Sequence, residues 1–310
     1  MGKLSVNQKL KSNMFFLAAA VIWGFAFVAQ CNVQGKIHMF LFIGARYVLG
    51  ALSLLPIIFL YENKAEKKSG NTYSFKATLL SGMLCGIVLF IASTLQQWGI
   101  NINPNAGKAG FITGIYTVLV PIIYFLFFRR KTGINVCLGA VCALIGLYLL
   151  SVTNGIGNVE KSDVIIFIGA IFWALHIITI DRFINNVSPI KFSAVQFLTA
   201  GVIGLLVAFI FGGVTFASVP SQLAAVGLPL LYVGIGSSGI AYTCQALGQR
   251  GADPTYSAII LSSESVFAAI GGVLFGIDKM GLRAYLGCAV IFAGIIISQI
   301  NIRKKAKSGV

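Results

Sequence analysis

The feature that most constrains this chain is a series of ten apolar stretches, each long enough to cross a lipid bilayer as a helix. A transmembrane helix needs about 20 predominantly apolar residues. A scan at that length predicts spans at approximately residues 15–33, 40–61, 78–98, 109–128, 134–152, 164–184, 192–211, 223–247, 255–275 and 282–300. The segments between the spans are short and leave no room for a soluble domain. The sequence therefore predicts an all-α integral membrane protein with ten transmembrane helices.

The composition agrees with a chain that is surrounded by lipid. Hydrophobic residues make up 57% of the sequence and charged residues only 10%, which is too few charges for a water-soluble surface. The net charge of +15 does not indicate nucleic acid as a partner, because the basic residues lie in short groups between apolar stretches. The six cysteines all lie in apolar stretches and form no CxxC pair, so we expect no metal site, no disulfide framework and no cofactor.

The positions of lysine and arginine predict the orientation in the membrane. If the N-terminus is cytoplasmic, the cytoplasmic segments hold seventeen of the 23 basic residues and the opposite segments hold five. Cytoplasmic loops carry an excess of Lys and Arg. The distribution therefore predicts that both termini are cytoplasmic, which requires an even number of spans.

A weak internal repeat relates the first part of the sequence to the second. Trp23 and Trp173 are 150 residues apart, and LGAVCALIG from Leu138 pairs with LGCAVIFAG from Leu286 at an offset of 148. Such repeats are common in transporters, where substrate sites lie near the midplane between the two repeats.

The repeat predicts one membrane domain made of two halves, residues 1–155 with spans 1 to 5 and residues 156–310 with spans 6 to 10. Because five is an odd number of spans, the two halves enter the membrane in opposite orientations. The predicted architecture is therefore a pair of inverted five-helix repeats.

Polar and aromatic residues recur at helical spacing on spans 1, 3, 4, 6 and 8, which indicates helix faces that are not in contact with lipid. We expect these faces to line one cavity, or alternatively to hydrogen-bond neighbouring helices. The faces of spans 4 and 8 include Thr113 and Ser237. For His176, a packed and hydrogen-bonded ring is the alternative to a proton relay. The candidate cavity residues are Trp23, Gln30, Gln96, Tyr116, Trp173, His176, Tyr242 and Gln245.

Glu264 is the most unusual residue of the predicted spans. It lies nine residues into span 9, or about 14 Å at 1.5 Å per residue, near the middle of a hydrocarbon core about 30 Å thick. A charge there costs about 2.5–3.5 kcal/mol on insertion scales, so such residues face a cavity or a partner. Glu264 either binds a substrate amine or couples protons, or it is a structural carboxyl that is hydrogen-bonded to serines or to Tyr242.

Arg46 is the second ionisable residue that stands out within a span. Counted from the start of span 2 it lies about 9 Å from the membrane surface, where a long side chain can extend toward the interface. Arg46 is therefore predicted to anchor or gate the helices, and the alternative is that it binds an anion. Spans 5 and 10 instead carry pairs of glycines seven residues apart. Such small residues allow close helix contact, which predicts a packing scaffold or a homodimer interface.

Two alternatives to transport are an intramembrane protease and a passive channel. The segment GSSG at 236–239 fits the G-x-S-G pattern of rhomboid-type intramembrane serine proteases, but both histidines, His38 and His176, precede Ser238, whereas rhomboid-like chains carry the histidine base on a later helix. The chain is therefore predicted not to be an enzyme. A passive channel for small solutes is the other alternative, although channels usually present rings of like residues and Glu264 has no counterpart in the first half.

Four segments together resemble the EamA type of the drug/metabolite transporter superfamily. They are AAAVIWGFAFVAQ from Ala18, FIGARYVLGALSLLP from Phe42, AGKAGFITGIYTVLVP from Ala106 and SAIILSSESVFAAIGGVLFG from Ser257. The resemblance covers nearly the whole chain and implies a carrier in a prokaryotic plasma membrane, with both termini in the cytoplasm and alternating access to a central cavity. It also implies a small-molecule substrate such as an amino acid or a drug-like compound, usually exported, with a proton or another solute as the coupling partner.

The chain departs from the family pattern in span 9. Relatives carry Glu-Pro where this sequence has Glu264 followed by Ser265, whereas the first half keeps Pro121 at the corresponding place. Relatives also tend to end this helix in Gly-Glu, and here Gly276 is followed by Ile277. The proline that would kink span 9 is therefore absent.

Overall fold

The structure is a computed structural model that describes residues 6–63, 73–129, 133–151, 160–277 and 281–299. Within these ranges the chain is helical and contains no strand. The fourteen α-helices are α1 (Val6–Asn32), α2 (Met39–Ile57), α3 (Phe75–Ile102), α4 (Ala106–Gly114), α5 (Tyr116–Phe128), α6 (Ile134–Ser151), α7 (Lys161–Phe183), α8 (Pro189–Ile210), α9 (Val219–Ala225), α10 (Gly227–Leu231), α11 (Tyr242–Gln249), α12 (Pro254–Leu261), α13 (Glu264–Leu274) and α14 (Leu282–Gln299). A π-helical stretch, Tyr232–Ala241, joins α10 to α11.

The predicted spans can be followed through these helices. Seven apolar helical segments in the described ranges are 21 to 28 residues long, enough to cross a bilayer. An eighth span is broken by a sharp bend, and α6 and α14, at the places of spans 5 and 10, are shorter apolar helices. The all-helical membrane architecture is as predicted. Ten apolar segments follow one another in the predicted order, and seven of them are single helical segments long enough to cross a bilayer.

Span 8 was predicted at approximately residues 223–247, and the first four of these residues precede the membrane-crossing helix. The segment Phe216–Ala225 meets Gly227–Gln249 at an angle of 90°. Pro229 explains the position of the break, because proline lacks a backbone N–H and is tolerated in the first turn of a helix but not in its interior. The membrane-crossing helix therefore begins at Gly227, and α9 lies across its end.

Span 9 is interrupted at Ser262 and Ser263, immediately before Glu264. The Ser262 hydroxyl donates to the Ile259 carbonyl at 2.8 Å and the Ser263 hydroxyl to the Ile260 carbonyl at 2.7 Å. Serine hydroxyls that bond the preceding turn compete with the helical hydrogen bonds and bend helices. The span is therefore interrupted although Ser265, and not a proline, follows Glu264.

Helices of the first half pack against helices of the second half in the reciprocal pairs that a two-fold axis between the halves would produce. Span 2 packs against span 7, span 4 against span 9, and span 5 against span 10. Span 1 packs against span 9, and its counterpart, span 6, packs against span 4. Each of these five interfaces joins one half to the other. The two five-helix repeats therefore interlock and enclose their shared centre.

The glycines of spans 5 and 10 bring α6 and α14 into direct backbone contact. A Cβ atom placed on Gly139 would lie 2.7 Å from the Gly294 carbonyl oxygen, and one on Gly146 would lie 2.6 Å from the Gly287 carbonyl oxygen. The prediction that these glycines serve close helix packing is confirmed. The contact is within one chain, and neither helix lines the central cavity.

Candidate functional site

A cavity between the two halves collects most of the predicted site residues. Its volume is about 40 Å³, room for roughly three ordered waters at 10–15 Å³ each. Its walls come from both halves and include five aromatic residues, which are Trp23, Phe27, Tyr116, Trp173 and Tyr242. They also include the polar residues Gln30, Gln96, Gln245 and Glu264, together with Arg46. The helical faces read from the sequence therefore meet in one place.

The aromatic part of the wall is centred on the Tyr242 ring. Its centroid lies 4.6 Å from that of Trp23 and 6.1 Å from that of Trp173, which is stacked nearly parallel to it at 19°. Ring pairs at 4.5–7 Å in such arrangements add stability beyond the area that they bury. The indole N–H of Trp23 donates to the Ser237 carbonyl at 3.1 Å. The aromatic residues thus join spans 1, 6 and 8 around the cavity.

Two glutamines extend this wall as a row of hydrogen bonds. Trp173 donates its indole N–H to Gln96 Oε1 at 2.7 Å, and Gln96 Nε2 donates to Gln30 Oε1 at 3.3 Å. Gln30 Oε1 also accepts from Arg46 Nη1 at 3.5 Å. The row connects spans 6, 3, 1 and 2, so each of these side chains is held by a neighbour from another helix.

The Arg46 side chain points into the protein, which is not the direction that the sequence predicted. Only 4% of the residue is exposed, and Nη2 donates to Ser237 Oγ at 3.1 Å and Nε to Ser238 Oγ at 3.5 Å. The guanidinium also lies over the Tyr47 ring, 4.9 Å from its centroid. The hydroxyls of the π-helical stretch supply the polar environment that the interface would otherwise provide, so the side chain does not extend to the membrane surface.

Glu264 is the first residue of α13 and faces the same cavity. It is 4% exposed, and in the described part of the chain it makes no ion pair. Its carboxyl interacts with the Tyr116 hydroxyl through a side-chain hydrogen bond. The neighbouring serines donate to backbone carbonyls instead. The structure therefore places Glu264 among cavity groups and not in a serine network.

Two buried oxygen atoms on the cavity wall have no hydrogen-bond partner among the described residues. They are Thr113 Oγ1 and Gln245 Oε1. Buried polar groups are nearly always hydrogen-bonded, and unsatisfied ones call for an explanation such as a missing ligand or water. The cavity wall therefore offers free oxygen acceptors in addition to the Glu264 carboxyl and the Arg46 guanidinium.

Comparison with known proteins decides the family. A model of the EamA-like transporter family matches residues 10–152 and matches again over residues 160–299. The chain belongs to the EamA-like transporter family. It is a multi-pass membrane protein and a member of the drug/metabolite transporter superfamily.

Relatives of this transporter cover nearly its whole length. An uncharacterized transporter of Archaeoglobus fulgidus is 24% identical over 296 residues, which cover 95% of this chain and 88% of the relative. The uncharacterized transporter YoaV of Bacillus subtilis (strain 168) is 20% identical over 302 residues, which cover 96% and 99% of the two chains. A protein crystal structure matches with a TM-score of 0.71 at 18% identity, covering 93% of this chain and 96% of its own. That likeness shows a shared fold.

His176 is the one predicted cavity residue of the transporter that does not line the cavity. It is fully buried, and its Nε2 lies 3.0 Å from Gln196 Oε1. Its ring meets those of Trp173 and Tyr242 edge-on at 5.8 and 5.7 Å. His176 therefore packs behind the aromatic wall, in the arrangement of a packed and hydrogen-bonded ring.

Ser238, the serine of the protease-like motif, serves the fold of the transporter. Its hydroxyl donates to the Val233 carbonyl at 2.9 Å, five residues earlier along the π-helical stretch, and accepts from Arg46. Within the described ranges neither His38 nor His176 forms a hydrogen bond with it. The G-x-S-G match therefore lacks the histidine base that the protease mechanism requires.

The apolar residues Ala26 and Ile177 also line the cavity and were not predicted. For Ala26 the signal was present in the spacing, because position 26 lies at the i+3 step from Trp23 on one helical face. Small or aliphatic side chains on a membrane helix do not by themselves indicate a cavity, so these two residues could not be identified from the sequence.

Side-chain contacts fasten the helices at both ends of the transporter. At one end, Lys108 Nζ lies 2.9 Å from Asp163 Oδ1 and 3.7 Å from Glu160 Oε2. The Asn103 amide donates to Glu160 at 2.5 Å, and that hydrogen bond with the nearby Lys108 ammonium lowers the pKa of the Glu160 carboxyl. At the opposite end, the Tyr256 hydroxyl donates to Asn13 Oδ1 at 2.5 Å. The first of these ends is thus held by charged groups, and the contacts at the opposite end include a neutral hydrogen bond.

Proposed function

We propose that the protein is a secondary active transporter that exports small metabolites, such as amino acids or drug-like compounds, by alternating access through the central cavity. The observation that carries the proposal is the pair of buried ionisable side chains, Arg46 and Glu264, on the wall of a cavity shared by both halves. Ionisable groups inside a membrane domain are costly and mark substrate or ion pathways. The family of the chain and its two-repeat architecture support the same function.

The proposed membrane is the prokaryotic plasma membrane, with both termini in the cytoplasm. The excess of Lys and Arg in alternate loops supports this orientation. Single cysteines at positions 71 and 158, which lie outside the described residues, would be introduced into a variant without the six native cysteines. We expect a membrane-impermeant thiol reagent to label position 158 from outside intact cells and position 71 only after permeabilisation. Labelling of both from the same side would contradict ten spans.

Reconstituted liposomes test whether the protein is a carrier. Liposomes loaded with an unlabelled candidate solute are diluted into labelled solute, and we expect saturable uptake that is accelerated by solute on the opposite side. Glu264→Gln liposomes serve as the matched sample, with loss of the pH dependence of uptake expected if Glu264 couples protons. Flux that does not saturate and shows no acceleration would indicate a passive pore instead.

The direction of transport is tested in cells. Cells that overexpress the transporter are compared with cells that express the Arg46→Gln variant, and metabolites are measured in the medium and in the cytoplasm. We expect at least one metabolite to accumulate outside and to fall inside only with the unmodified protein. The opposite change, with accumulation inside, would show import.

A further inference from the structure

We propose that two side-chain contacts at opposite ends of the transporter are its alternating gates. In the first, the charged latch, Lys108 of span 4 pairs with Asp163 and Glu160 at the start of span 6. In the second, the neutral latch, Tyr256 of span 9 bonds Asn13 of span 1. The charged latch opens when the cavity faces one side of the membrane, and the neutral latch opens when it faces the other. The inference rests on the proposed alternating access and names the residues that close each side.

Lys108 and Tyr256 occupy the same place in spans 4 and 9. Each is the third residue of the helix that begins its span, α4 or α12. The Lys108 backbone N–H donates to Asn105 Oδ1, the side chain that caps α4, at 2.6 Å. The Tyr256 backbone N–H donates in the same way to Asp253 Oδ1, the cap of α12, at 3.3 Å. The two side chains therefore project from equivalent first turns in the two halves.

Asp163 and Asn13 are likewise equivalent in spans 6 and 1. They are 150 residues apart, the offset that also relates Trp173 to Trp23. The order of buried, half-buried and exposed positions over residues 12–20 recurs over residues 162–170 at every position but one. The charged latch and the neutral latch are therefore the same contact, made once between spans 4 and 6 and once between spans 9 and 1. Because the halves are inverted, the two latches lie at opposite ends of the transporter.

The inverted repeat explains why the two latches alternate. Alternating access in such folds is a rocking of one repeat against the other around a fixed site. Because the halves are related by a two-fold axis, the movement that breaks a contact at one end has a counterpart that breaks the equivalent contact at the other. Both latches are formed in this structure, at 2.9 Å from Lys108 Nζ to Asp163 Oδ1 and at 2.5 Å from the Tyr256 hydroxyl to Asn13 Oδ1. That is the arrangement expected when the cavity is closed on both sides.

Each latched pair of spans is also held at its other end, which supplies a pivot. In spans 4 and 6 the Tyr124 hydroxyl donates to the Asp181 carboxylate, at the far end of the two helices from Lys108. Spans 1 and 9 are closely packed at their far end, because a Cβ atom on Gly271 would lie 3.0 Å from Val28 Cγ2. Each pair can therefore part at its latch while it stays joined at the other end.

The latches act on the helices that carry the two tryptophans of the cavity wall. Asn13 lies ten residues before Trp23, about 15 Å along the helix at 1.5 Å per residue. Asp163 lies ten residues before Trp173 in the same way. Both indole rings contact the Tyr242 ring. Release of the neutral latch therefore draws Trp23 away from that ring, and release of the charged latch draws Trp173 away from it.

The first test breaks one latch at a time and measures from which side the cavity can be reached. Ala26 lines the cavity and is 2% exposed, so Ala26→Cys in the variant without the six native cysteines reports access. A membrane-impermeant thiol reagent is applied to intact cells and to inside-out vesicles. We expect Lys108→Gln to speed labelling from outside about threefold and Tyr256→Phe to speed labelling from the cytoplasmic side about threefold. Equal acceleration from both sides by either variant, or no acceleration by both, overturns the proposal.

Two matched substitutions remove the same groups away from the latches. Lys161→Gln removes a lysine charge at the same end as Lys108, from an exposed residue that forms no ion pair within the described ranges. Tyr285→Phe removes a tyrosine hydroxyl from a residue that is 60% exposed on span 10. We expect neither substitution to change labelling from either side. Acceleration as large as that of the latch variants would show that the latches are not the gates.

The second test closes the charged latch permanently. A water-soluble carbodiimide joins a carboxylate to a neighbouring amine through an amide bond, and the carbodiimide itself takes up the water that is lost and becomes a urea. Applied from outside to the Ala26→Cys protein, it should link Lys108 to Asp163 or Glu160, which mass spectrometry of the peptides identifies. We expect the linked protein to lose labelling from outside and to keep labelling from the cytoplasmic side.

The control for this reaction is the same protein with Lys108→Gln. It cannot form the link but undergoes every other reaction with the carbodiimide, so it should keep labelling from both sides. Labelling from outside that survives the link would show that spans 4 and 6 move as one unit and would overturn the proposal.

Failure of this inference can be told apart from failure of the proposed function. Labelling of the cysteine at position 26 from one side only, with both latches unmodified, would refute alternating access and the latches with it. Labelling from both sides and saturable counterflow in liposomes, without any effect of the latch variants, would support the carrier and refute the latches alone.

Discussion

Trp173 donates its indole N–H to the side-chain oxygen of Gln96 at 2.7 Å, across the boundary between the two halves. The contact joins span 6 to span 3, and the Gln96 amide in turn donates a hydrogen bond to Gln30 in span 1. The aromatic wall of the cavity and its row of glutamines are therefore one connected unit. A change at one of these side chains is expected to disturb the others.

Replacing Trp173 by Phe tests this connection. The variant keeps an aromatic ring but leaves Gln96 Oε1 without its donor, and a buried acceptor that loses its partner costs about 1–3 kcal/mol. We expect a lower thermal unfolding midpoint in detergent and a higher KM in liposomes. Trp98, which is 44% exposed on span 3, provides the matched control, and Trp98→Phe should change neither quantity. Equal effects of the two variants would show that the hydrogen bond contributes nothing specific.

The contact between α6 and α14 predicts intolerance of even one methyl group. A Cβ atom on Gly146 would lie 2.6 Å from the Gly287 carbonyl oxygen and 2.8 Å from the Ile291 nitrogen, so backbone would have to move. Such overpacking typically costs about 1–3 kcal/mol, and we expect Gly146→Ala to lower the thermal unfolding midpoint. Gly227→Ala is the control, because nothing lies within 4 Å of its Cβ position. The prediction is wrong if both variants melt together.

Substitution of Glu264 is expected to impair ligand binding without lowering the thermal stability of the protein. The buried carboxyl has no cationic partner in the described chain, and an unpaired charge inside a membrane domain is costly. We expect Glu264→Gln to melt at the same temperature as the unmodified protein or at a higher one, while it loses ligand binding. Melting curves at pH 7 without ligand provide the measurement. A clear fall in the midpoint would mean that the carboxylate holds span 9 in place.

The contacts of Glu160 with Lys108 and Asn103 are expected to lose their stabilising effect in acid. The Asn103 hydrogen bond and the Lys108 ammonium lower the pKa of Glu160 from its ordinary value of 4.5. A group whose pKa is lowered on folding contributes stability above its unfolded pKa and loses that contribution as the pH falls through the folded value. The unmodified protein should therefore melt higher than Glu160→Gln at pH 7, and the difference should vanish well below pH 4.5. A difference that persists or grows in acid would contradict this assignment.

The positions of the cavity residues could be predicted because a helix presents residues at i, i+3 and i+4 on one face. Trp23 and Gln30 therefore follow from span 1 alone, and Tyr242 and Gln245 from span 8. In a chain with 57% hydrophobic residues, a polar face has few alternatives to a cavity or a neighbouring helix. The spacing of the polar residues along each span is therefore sufficient to predict which helix faces line the cavity.

The direction of Arg46 and the place of His176 could not be predicted in this way. Depth along a span favours extension to the interface, but the partner that turns Arg46 inward, Ser237, lies 191 residues away in the sequence. His176 follows Trp173 by three residues on the same face, yet the Tyr242 ring from another span lies in front of it. Both outcomes depend on tertiary contacts that no single helix encodes.

The π-helical stretch Tyr232–Ala241 makes a rotation of the following helix, α11, about its own axis geometrically accessible. In a π-helix each backbone carbonyl accepts a hydrogen bond from the N–H five residues later, whereas in an α-helix the N–H is four residues later. A π-helical stretch therefore holds more residues per turn than an α-helix does. Because one residue corresponds to about 100° of turn in an α-helix, a register shift by one residue would rotate α11 about its axis by roughly that angle. Tyr242 and Gln245 would then leave the cavity together, and the cavity would lose its central ring and one of its oxygen acceptors in a single step.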